Sequence, residues 1–414
     1  MFNRVIDSSW DFKTADTKEF THCYHAYPAM MIPQVARRLL DDFVPPDGCK
    51  LVFDPYMGSG TTLVEAALKG ITSIGTDINP LARMIAQAKV SDFEVPTIED
   101  YFSDIQLMPF EYSPQKVVDT DFSRISNYSF WYSKDVLLKL SYISQYIEQL
   151  DSDLRLFFKV ALSEVVREVS FTRNGEFKRY RMAEDKVKTF NPDVFGLFAS
   201  KVSRNINGLK QYLSAIPKKV DSAICDFNTV FDIPNDIIND CSVDMIVTSP
   251  PYGDSHTTVA YGQFSRWANE WFGFDNASTL DSLLMGGKKS ASSKFETLSI
   301  NQELAEIKNL DPKRYLEVVS FLNDYSDSIK NIAPKIRKGG RVCYVVGNRT
   351  VKGIQIPLDY FTAEMFEKQG FGHLITIVRE IPNKRMPSKN SPTNKTGAIS
   401  STMTNEYIVI LEKK

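Results

Sequence analysis

The sequence predicts an α/β fold of the doubly wound kind: a mostly parallel sheet of seven strands with helices on both faces, plus a helical insertion. Three observations lead there. Short apolar runs bounded by turn residues alternate with helix-length amphipathic stretches over residues 51–90 and again beyond 218, as strands joined by crossover helices do. One such run stops at a glycine turn after Asp54 and another at a double proline after Ser249. In open sheets of this kind the loops at strand ends hold the ligand. Between these parts, residues 96–217 lose the alternation and keep only helix-spaced apolar stripes. The expected division is one α/β domain formed by 1–95 and 218–414, interrupted by a mainly helical insertion at 96–217.

From the N-terminus, residues 1–20 are polar and mixed, and read as a surface arm. A segment containing His22, His25 and Tyr27 leads into an amphipathic helix from Pro33 to Phe43. The two histidines fit either packing or a metal pair, although no third ligand is evident. Leu51–Asp54 reads as a strand, Thr61 as the start of a helix, and Thr72–Thr76 as a second strand ending at Asp77. Pro96, Pro109 and Pro114 mark an irregular connection. Two amphipathic helices follow, with stripes Leu137, Leu140, Ile143, Ile147 and Phe158, Leu162, Val165, Val169. The sheet resumes at Ser222–Cys225, ending in Asp226, and continues through Val243–Val247. Residues 276–299, rich in Ser, Gly and Lys, read as mobile. A helix over Pro312–Ile332 precedes strand Arg341–Val346, a helix near Tyr360–Lys368, and strands His373–Ile381 and Glu406–Glu412, the last pair able to run antiparallel.

Two loops carry chemistry. In Asp54-Pro55-Tyr56-Met57-Gly58-Ser59-Gly60-Thr61 the glycines allow close approach of backbone to a ligand, and the helix that follows offers free N–H groups. Asp77 lies seventeen residues beyond Gly60, where an acidic side chain can accept hydrogen bonds from ribose hydroxyls. No lysine follows the second glycine, so this is a nucleoside half-site and not a phosphate loop. The second loop, Ser249-Pro250-Pro251-Tyr252, must leave the sheet at its prolines. It offers backbone carbonyls, a hydroxyl and an aromatic face, parts suited to holding a flat heterocycle by an exocyclic amine. A proline-rich turn with a packed tyrosine is the plainer alternative.

Composition narrows the class. Hydrophobic residues make up 43% and charged residues 24%, as in soluble globular proteins. No apolar run reaches the ~18 residues of a membrane span, and the N-terminus lacks a signal-peptide core. The five cysteines are scattered without metal-ligand spacing, which points to reduced thiols in a cytosol. A net charge of −2 confines any nucleic-acid contact to local basic segments. One is 170–181, where Arg173, Lys178, Arg179 and Arg181 alternate with aromatics. It suits phosphate contact and stacking, or equally a turn whose aromatics pack on the helices. The other is the connection from Pro382 to Asn405, which carries Lys384, Arg385, Lys389 and Lys395 and no acid. It is too long for a hairpin and fits a DNA-binding finger or a disordered basic loop.

Together the glycine loop and Ser-Pro-Pro-Tyr resemble the cofactor and catalytic loops of the amino-methyltransferases of DNA. The serine form resembles the N4-cytosine branch, since the N6-adenine branch usually carries Asp or Asn at the position of Ser249. The resemblance implies a Rossmann-like catalytic domain that binds S-adenosylmethionine through Tyr27, Asp54, Pro55, Gly58, Ser59, Gly60, Thr61, Asp77 and Asp226, with no metal. Ser249 and the Pro250 carbonyl would accept the two amine hydrogens, Pro251 would fix the turn, and Tyr252 would stack on an extruded base. It further implies double-stranded DNA as substrate, recognition through the insertion, a cytosolic bacterial or archaeal setting, and a separate restriction endonuclease as companion. N6-adenine methylation, RNA base methylation and a catalytically silent nucleoside- or DNA-binding protein are the competing readings. Cytosine C5 chemistry needs a cysteine after a proline, and the sequence has no such pair.

Overall fold

A computed structural model describes residues 2–118, 121–175, 177–254, 258–381, 389–390, 400–401 and 404–414. Its centre is an eight-stranded sheet. The strands are β1 (Arg4–Ile6), β2 (Leu51–Asp54), β3 (Thr72–Thr76), β4 (Ser222–Cys225), β5 (Val243–Thr248), β6 (Ile336–Val346), β7 (Phe371–Glu380) and β8 (Asn405–Lys413). Their spatial order is β1-β7-β8-β6-β5-β2-β3-β4. All pairings are parallel except those of β8, which is antiparallel to both β6 and β7. The chain builds outward from β2 through β3 to β4, then returns to the other side of β2 with β5. That reversal places the crevice at the carboxyl ends of β2 and β5.

Burial on both faces explains why the central strands are so apolar. Met245 and Val247 of β5, with Ile408 and Ile410 of β8, pack against α1 (Pro33–Asp42) and α2 (Thr61–Leu68). Ile246, Val409 and Leu411 face the opposite way, toward α9 (Pro312–Ile332) and α10 (Leu358–Glu367). Asp244, the polar interruption in β5, accepts hydrogen bonds from the backbone N–H groups of Lys50 (2.7 Å) and Leu51 (2.9 Å) and pairs with Arg337. It thereby joins the starts of three strands.

Between β3 and β4 the chain forms α3 (Pro80–Val90), α4 (Val95–Glu111), α5 (Lys134–Glu148), α6 (Ser152–Glu168) and α7 (Val194–Ala215). Their core includes Phe157, Phe158, Leu162 and Phe198, and runs on into Tyr24, Tyr27 and Leu81 and into Trp267 of α8 (Tyr261–Trp271).

Several expectations need correcting. The N-terminal segment is no surface arm: β1 adds an edge strand, and Trp10 is 1% exposed. The expected irregular connection at Pro96 and Pro109 is mostly helix α4. Pro96 sits in its first turn, where a missing N–H costs nothing, and Pro109 lies in its last turn. The insertion also holds a fourth long helix, α7, beyond the two that the apolar stripes predict; it buries Val194, Phe195, Phe198, Val202, Ile206 and Leu209. Residues 276–299 are pinned, not loose. Ser320 Oγ accepts from Ser290 N–H at 2.7 Å, Asn323 from Lys294 N–H at 2.8 Å, and Glu364 from Leu298 and Ser299 N–H.

Candidate active site

A cleft enclosing about 940 Å³, part of it open to solvent, lies at the reversal point. Its floor is the loop between β2 and α2, contributed by Asp54, Pro55, Tyr56, Met57, Gly58, Ser59 and Thr61. Asp77, Ile78 and Asn79 form one wall, and Phe227, Asn228 and Thr229 lie beyond β4. Tyr27 to Met31 close one end; Ser249 and Pro251 stand at another side, with Tyr261 and Leu283–Met285.

The loop's shape follows from its sequence. Gly58 and Gly60 both have positive φ, +50° and +80°. A Cβ on Gly60 would stand 2.8 Å from the Cβ of Ala86 in α3. Its bareness therefore serves helix packing, and Gly60 does not line the cleft. Asp77 accepts from Gly58 N–H at 3.1 Å and from Asn79 N–H at 2.7 Å. Burial pushes its carboxyl up to about 6. Asp54 is also raised to about 6 by burial, opposed by hydrogen bonds that include one from Thr248 Oγ1 at 2.5 Å. That bond ties the glycine loop to the strand that ends at Ser249. Lys89, fully buried, donates to Ser59 Oγ at 3.3 Å, and burial lowers its ammonium to about 7.

Tyr27 stacks on Tyr261, with ring centroids 6.0 Å apart, and accepts from Asn79 Nδ2 at 2.9 Å. Asn79 also donates to Ser265 Oγ at 2.7 Å. The nearby histidines are packing residues. His22 contacts Glu65 at 2.9 Å, His25 lies against Phe264, and burial drives both rings down to about 4.

On the catalytic-loop side, Pro250 is buried, while Ser249, Pro251 and Tyr252 are half-buried. Tyr252 does not line the cleft. Its hydroxyl donates to Glu406 Oε1 at 3.0 Å and lies 3.1 Å from Ser249 Oγ. Burial first, and Glu406 second, hold the phenol well above its ordinary pKa. Glu406 is paired with the buried Arg379, whose guanidinium also donates to the carbonyls of Trp10 (2.7 Å) and Asp11 (3.1 Å). On the far side of the loop, buried Asp254 pairs with half-buried Arg349 at 3.0 Å.

Most of the expected cofactor residues thus converge: Tyr27, Asp54, Pro55, Gly58, Ser59, Thr61 and Asp77 share one cleft with Ser249 and Pro251. Asp226 is exposed and outside the lining, where Phe227 and Asn228 stand instead. Asn79 was legible in principle, because Asn-Pro at a helix start is a capping signal. Glu406 carried no signal, lying 154 residues from its tyrosine partner.

The basic segments are placed differently. Arg179 lies over Trp267 at 4.7 Å and Trp131 at 5.8 Å. Arg181 covers Phe130 at 4.3 Å and pairs with Glu184. Arg173 is exposed beside Tyr180, and Lys178 is half-buried. The arginine cations stack on this chain's own aromatics, the arrangement of a packed turn. In the C-terminal connection Lys384, Arg385 and Lys395 lie outside the described residues. Lys389 belongs to a two-residue strand paired antiparallel with Ser400–Ser401.

Among the described residues no group of His, Cys, Asp and Glu is arranged to hold a metal ion, and no helix is long and apolar enough to cross a membrane.

Comparison with known proteins agrees with this geometry. Residues 2–88 match the N6_N4_Mtase family, described as DNA methylase. The chain is 39% identical to the type II methyltransferase M.MvaI of Kocuria varians, over 97% of this chain and 93% of that one. It is 21% identical to the type II methyltransferase M.BsoBI of Geobacillus stearothermophilus, over 89% and 81%. Among solved structures, the rRNA methyltransferase aviRa of Streptomyces viridochromogenes aligns over 94% of this chain and 88% of that one, at 10% identity and a TM-score of 0.32, too slight to argue from. The match to M.MvaI along nearly the whole of both chains is decisive: this chain belongs to the type II DNA methyltransferase family.

Proposed function

We propose that this DNA methyltransferase acts on the exocyclic N4 of cytosine within a specific duplex sequence, with S-adenosylmethionine as donor. One observation carries the reading: Ser249, the first residue of the Ser-Pro-Pro-Tyr loop, lines the same cleft as the glycine loop and Asp77. The cleft residues fit the donor. The half-buried Asp77 carboxylate can accept from ribose hydroxyls, and Tyr27 to Met31 with Met57 give an apolar end. When bound, S-adenosylmethionine supplies a methyl group activated on a sulfonium.

The chain's own groups then have defined tasks. The N4 lone pair of cytosine is delocalised into the ring, which makes it a poor nucleophile. Ser249 Oγ and the Pro250 carbonyl accept hydrogen bonds from its two hydrogens and turn the nitrogen toward a tetrahedral geometry, freeing the lone pair for in-line attack; one of the two hydrogens is then lost as a proton to solvent as the nitrogen gains the methyl. Pro251 keeps that carbonyl rigidly placed, and Tyr252 supports the turned-out base. Positioning and exclusion of water supply the rate. Arg173, Lys178, Arg179 and Arg181, with Lys384, Arg385 and Lys389, are the cations assigned to DNA, the helical insertion being the recognition region. A separate restriction endonuclease as companion fits the role.

The test is product identity. Unmodified plasmid DNA is incubated with tritiated S-adenosylmethionine, digested and resolved into nucleosides, with an RNA arm in parallel. Label in N4-methylcytosine is the expected result. Label in N6-methyladenine transfers the mechanism to the adenine branch, and label only in RNA, or in no base, defeats the reading.

A further inference from the structure

A serine hydroxyl can donate or accept, so the methyl-transfer geometry above requires something to fix its polarity. We propose that Glu406, acting through Tyr252, fixes Ser249 as a hydrogen-bond acceptor toward the substrate and so makes the site selective for amines over carbonyl oxygens. This rests on the functional reading of Ser249 and deepens it.

Counting hydrogens along the relay sets the direction of each bond. Glu406 presents one carboxylate oxygen to Arg379 and the other, Oε1, to the Tyr252 hydroxyl at 3.0 Å. A carboxylate held against a guanidinium only accepts. Tyr252 has a single hydroxyl hydrogen, and burial together with Glu406 keeps its phenol protonated. That hydrogen goes to Glu406. Ser249 Oγ, 3.1 Å from the same phenol oxygen, must therefore donate its hydrogen to Tyr252. What remains facing the cleft is the serine's lone-pair side. An amine offers hydrogens to it, whereas a carbonyl oxygen at the same position meets it lone pair to lone pair.

The topology explains why so distant a residue can do this. Ser249 follows the end of β5, a parallel strand. Glu406 sits at the start of β8, which runs antiparallel, with Tyr407 opposite Val346 at the end of β6. An antiparallel strand begins where its parallel neighbours end, so Glu406 arrives at the same edge as the catalytic loop. The N-terminal segment closes the relay from outside, because the carbonyls of Trp10 and Asp11 hold Arg379. Glu406 is thus a positioning residue; it acts on the substrate only through Tyr252 and Ser249.

The near-isosteric variant Glu406→Gln reverses the relay. Its single carbonyl oxygen must face Arg379, which has only donors, so its NH₂ faces Tyr252. The phenol then accepts from Gln and donates to Ser249, and the serine hydrogen turns into the cleft. Tyr252→Phe keeps the Arg379 pair and removes the link, leaving the serine free to rotate.

Two duplexes are compared, identical except at the methylated base. One carries its amine and the other an oxygen at the same position (uracil for cytosine, hypoxanthine for adenine), each opposite an abasic site so that both target bases are equally unpaired. Duplex affinity, single-turnover methyl transfer, cofactor affinity and thermal melting are measured. Wild-type protein should prefer the amine duplex at least tenfold, the order expected when one good hydrogen bond is replaced by an opposed pair. Glu406→Gln should lose or invert that preference and slow transfer at least tenfold, with cofactor affinity unchanged. Tyr252→Phe should lose the preference without inverting it, and decides the question alone if Glu406→Gln does not fold. If the folded variants keep the wild-type preference, the proposal is overturned. Absence of methyl transfer to any base by the wild-type protein would instead overturn the functional reading beneath it.

Discussion

Asp77 shapes the glycine loop and, on the proposed reading, also binds the ribose; both roles favour its ionised form, which burial opposes. Its oxygens already accept from Gly58 and Asn79, which shapes the glycine loop, while burial pushes the carboxyl up to about 6. Hydroxyl groups of a ribose bond the ionised form more strongly. Asp77→Ala should therefore weaken S-adenosylmethionine binding at least tenfold by calorimetry, since each charge-assisted bond is worth ~1.5–3 kcal/mol. The sign of the pH effect follows from the same shift. Well above pH 6 the carboxylate is present and affinity should be full. Below that, protonation competes with the ligand, and affinity should drop about tenfold over the next pH unit, one pKa unit's worth. Asp77→Asn should flatten that dependence, and an unchanged profile would remove Asp77 from the ribose. The position of Asp77 was readable because strand, glycine turn, helix, strand and acid follow each other locally. The relay through Tyr252, Glu406 and Arg379 was not, because it is assembled from strands far apart in the chain.

Among the elements, the glycine loop and α2 are held by packing as much as by ligand geometry. Gly60 has φ +80°, and a Cβ there would stand 2.8 Å from Ala86 Cβ and 3.1 Å from its Cα, with backbone that cannot swing away. Gly60→Ala should cost about 1–3 kcal/mol of folding stability in a denaturant titration, the range for overpacked cores. A loss near zero would mean that α3 can retreat. The sequence pattern located this loop but assigned both glycines to the ligand, since spacing does not distinguish a bare Cα facing a cleft from one facing a helix. Strands β2 to β5 were legible from their apolar runs and breakers, as was β6 from Arg341 on, its first five residues being hidden by the polar run Arg337 to Gly340. Edge strand β1 was not, because three residues with an exposed Ile6 carry no alternation to read. Helix α4 is hidden by its prolines, which read as interruptions although one lies in the first turn and the other in the last.

For the molecule as a whole, a net charge of −2 means that cations must be gathered locally to hold DNA. The arginines of 170–181 stack largely on the chain's own aromatics, which leaves the acid-free C-terminal connection as the stronger assignment for phosphate contact. Neutralising Lys384 and Arg385 together should weaken duplex binding and lower the salt slope by roughly two, at about 0.9 for each phosphate no longer neutralised. A wild-type slope would move the phosphate-binding role to 170–181. The sheet reversal brings the glycine loop and the Ser-Pro-Pro-Tyr loop to one edge, and the proposed reading gives Ser249 a part in the chemistry and none in holding the cofactor. That separation of roles is decided by single-turnover transfer of tritiated methyl to DNA by Ser249→Ala, beside calorimetry of cofactor binding. Transfer should slow on the order of 100-fold, as for loss of one preorganised hydrogen bond at the reacting group, with cofactor affinity within about twofold of wild type. Transfer at the wild-type rate would show that Ser249 takes no part in the chemistry.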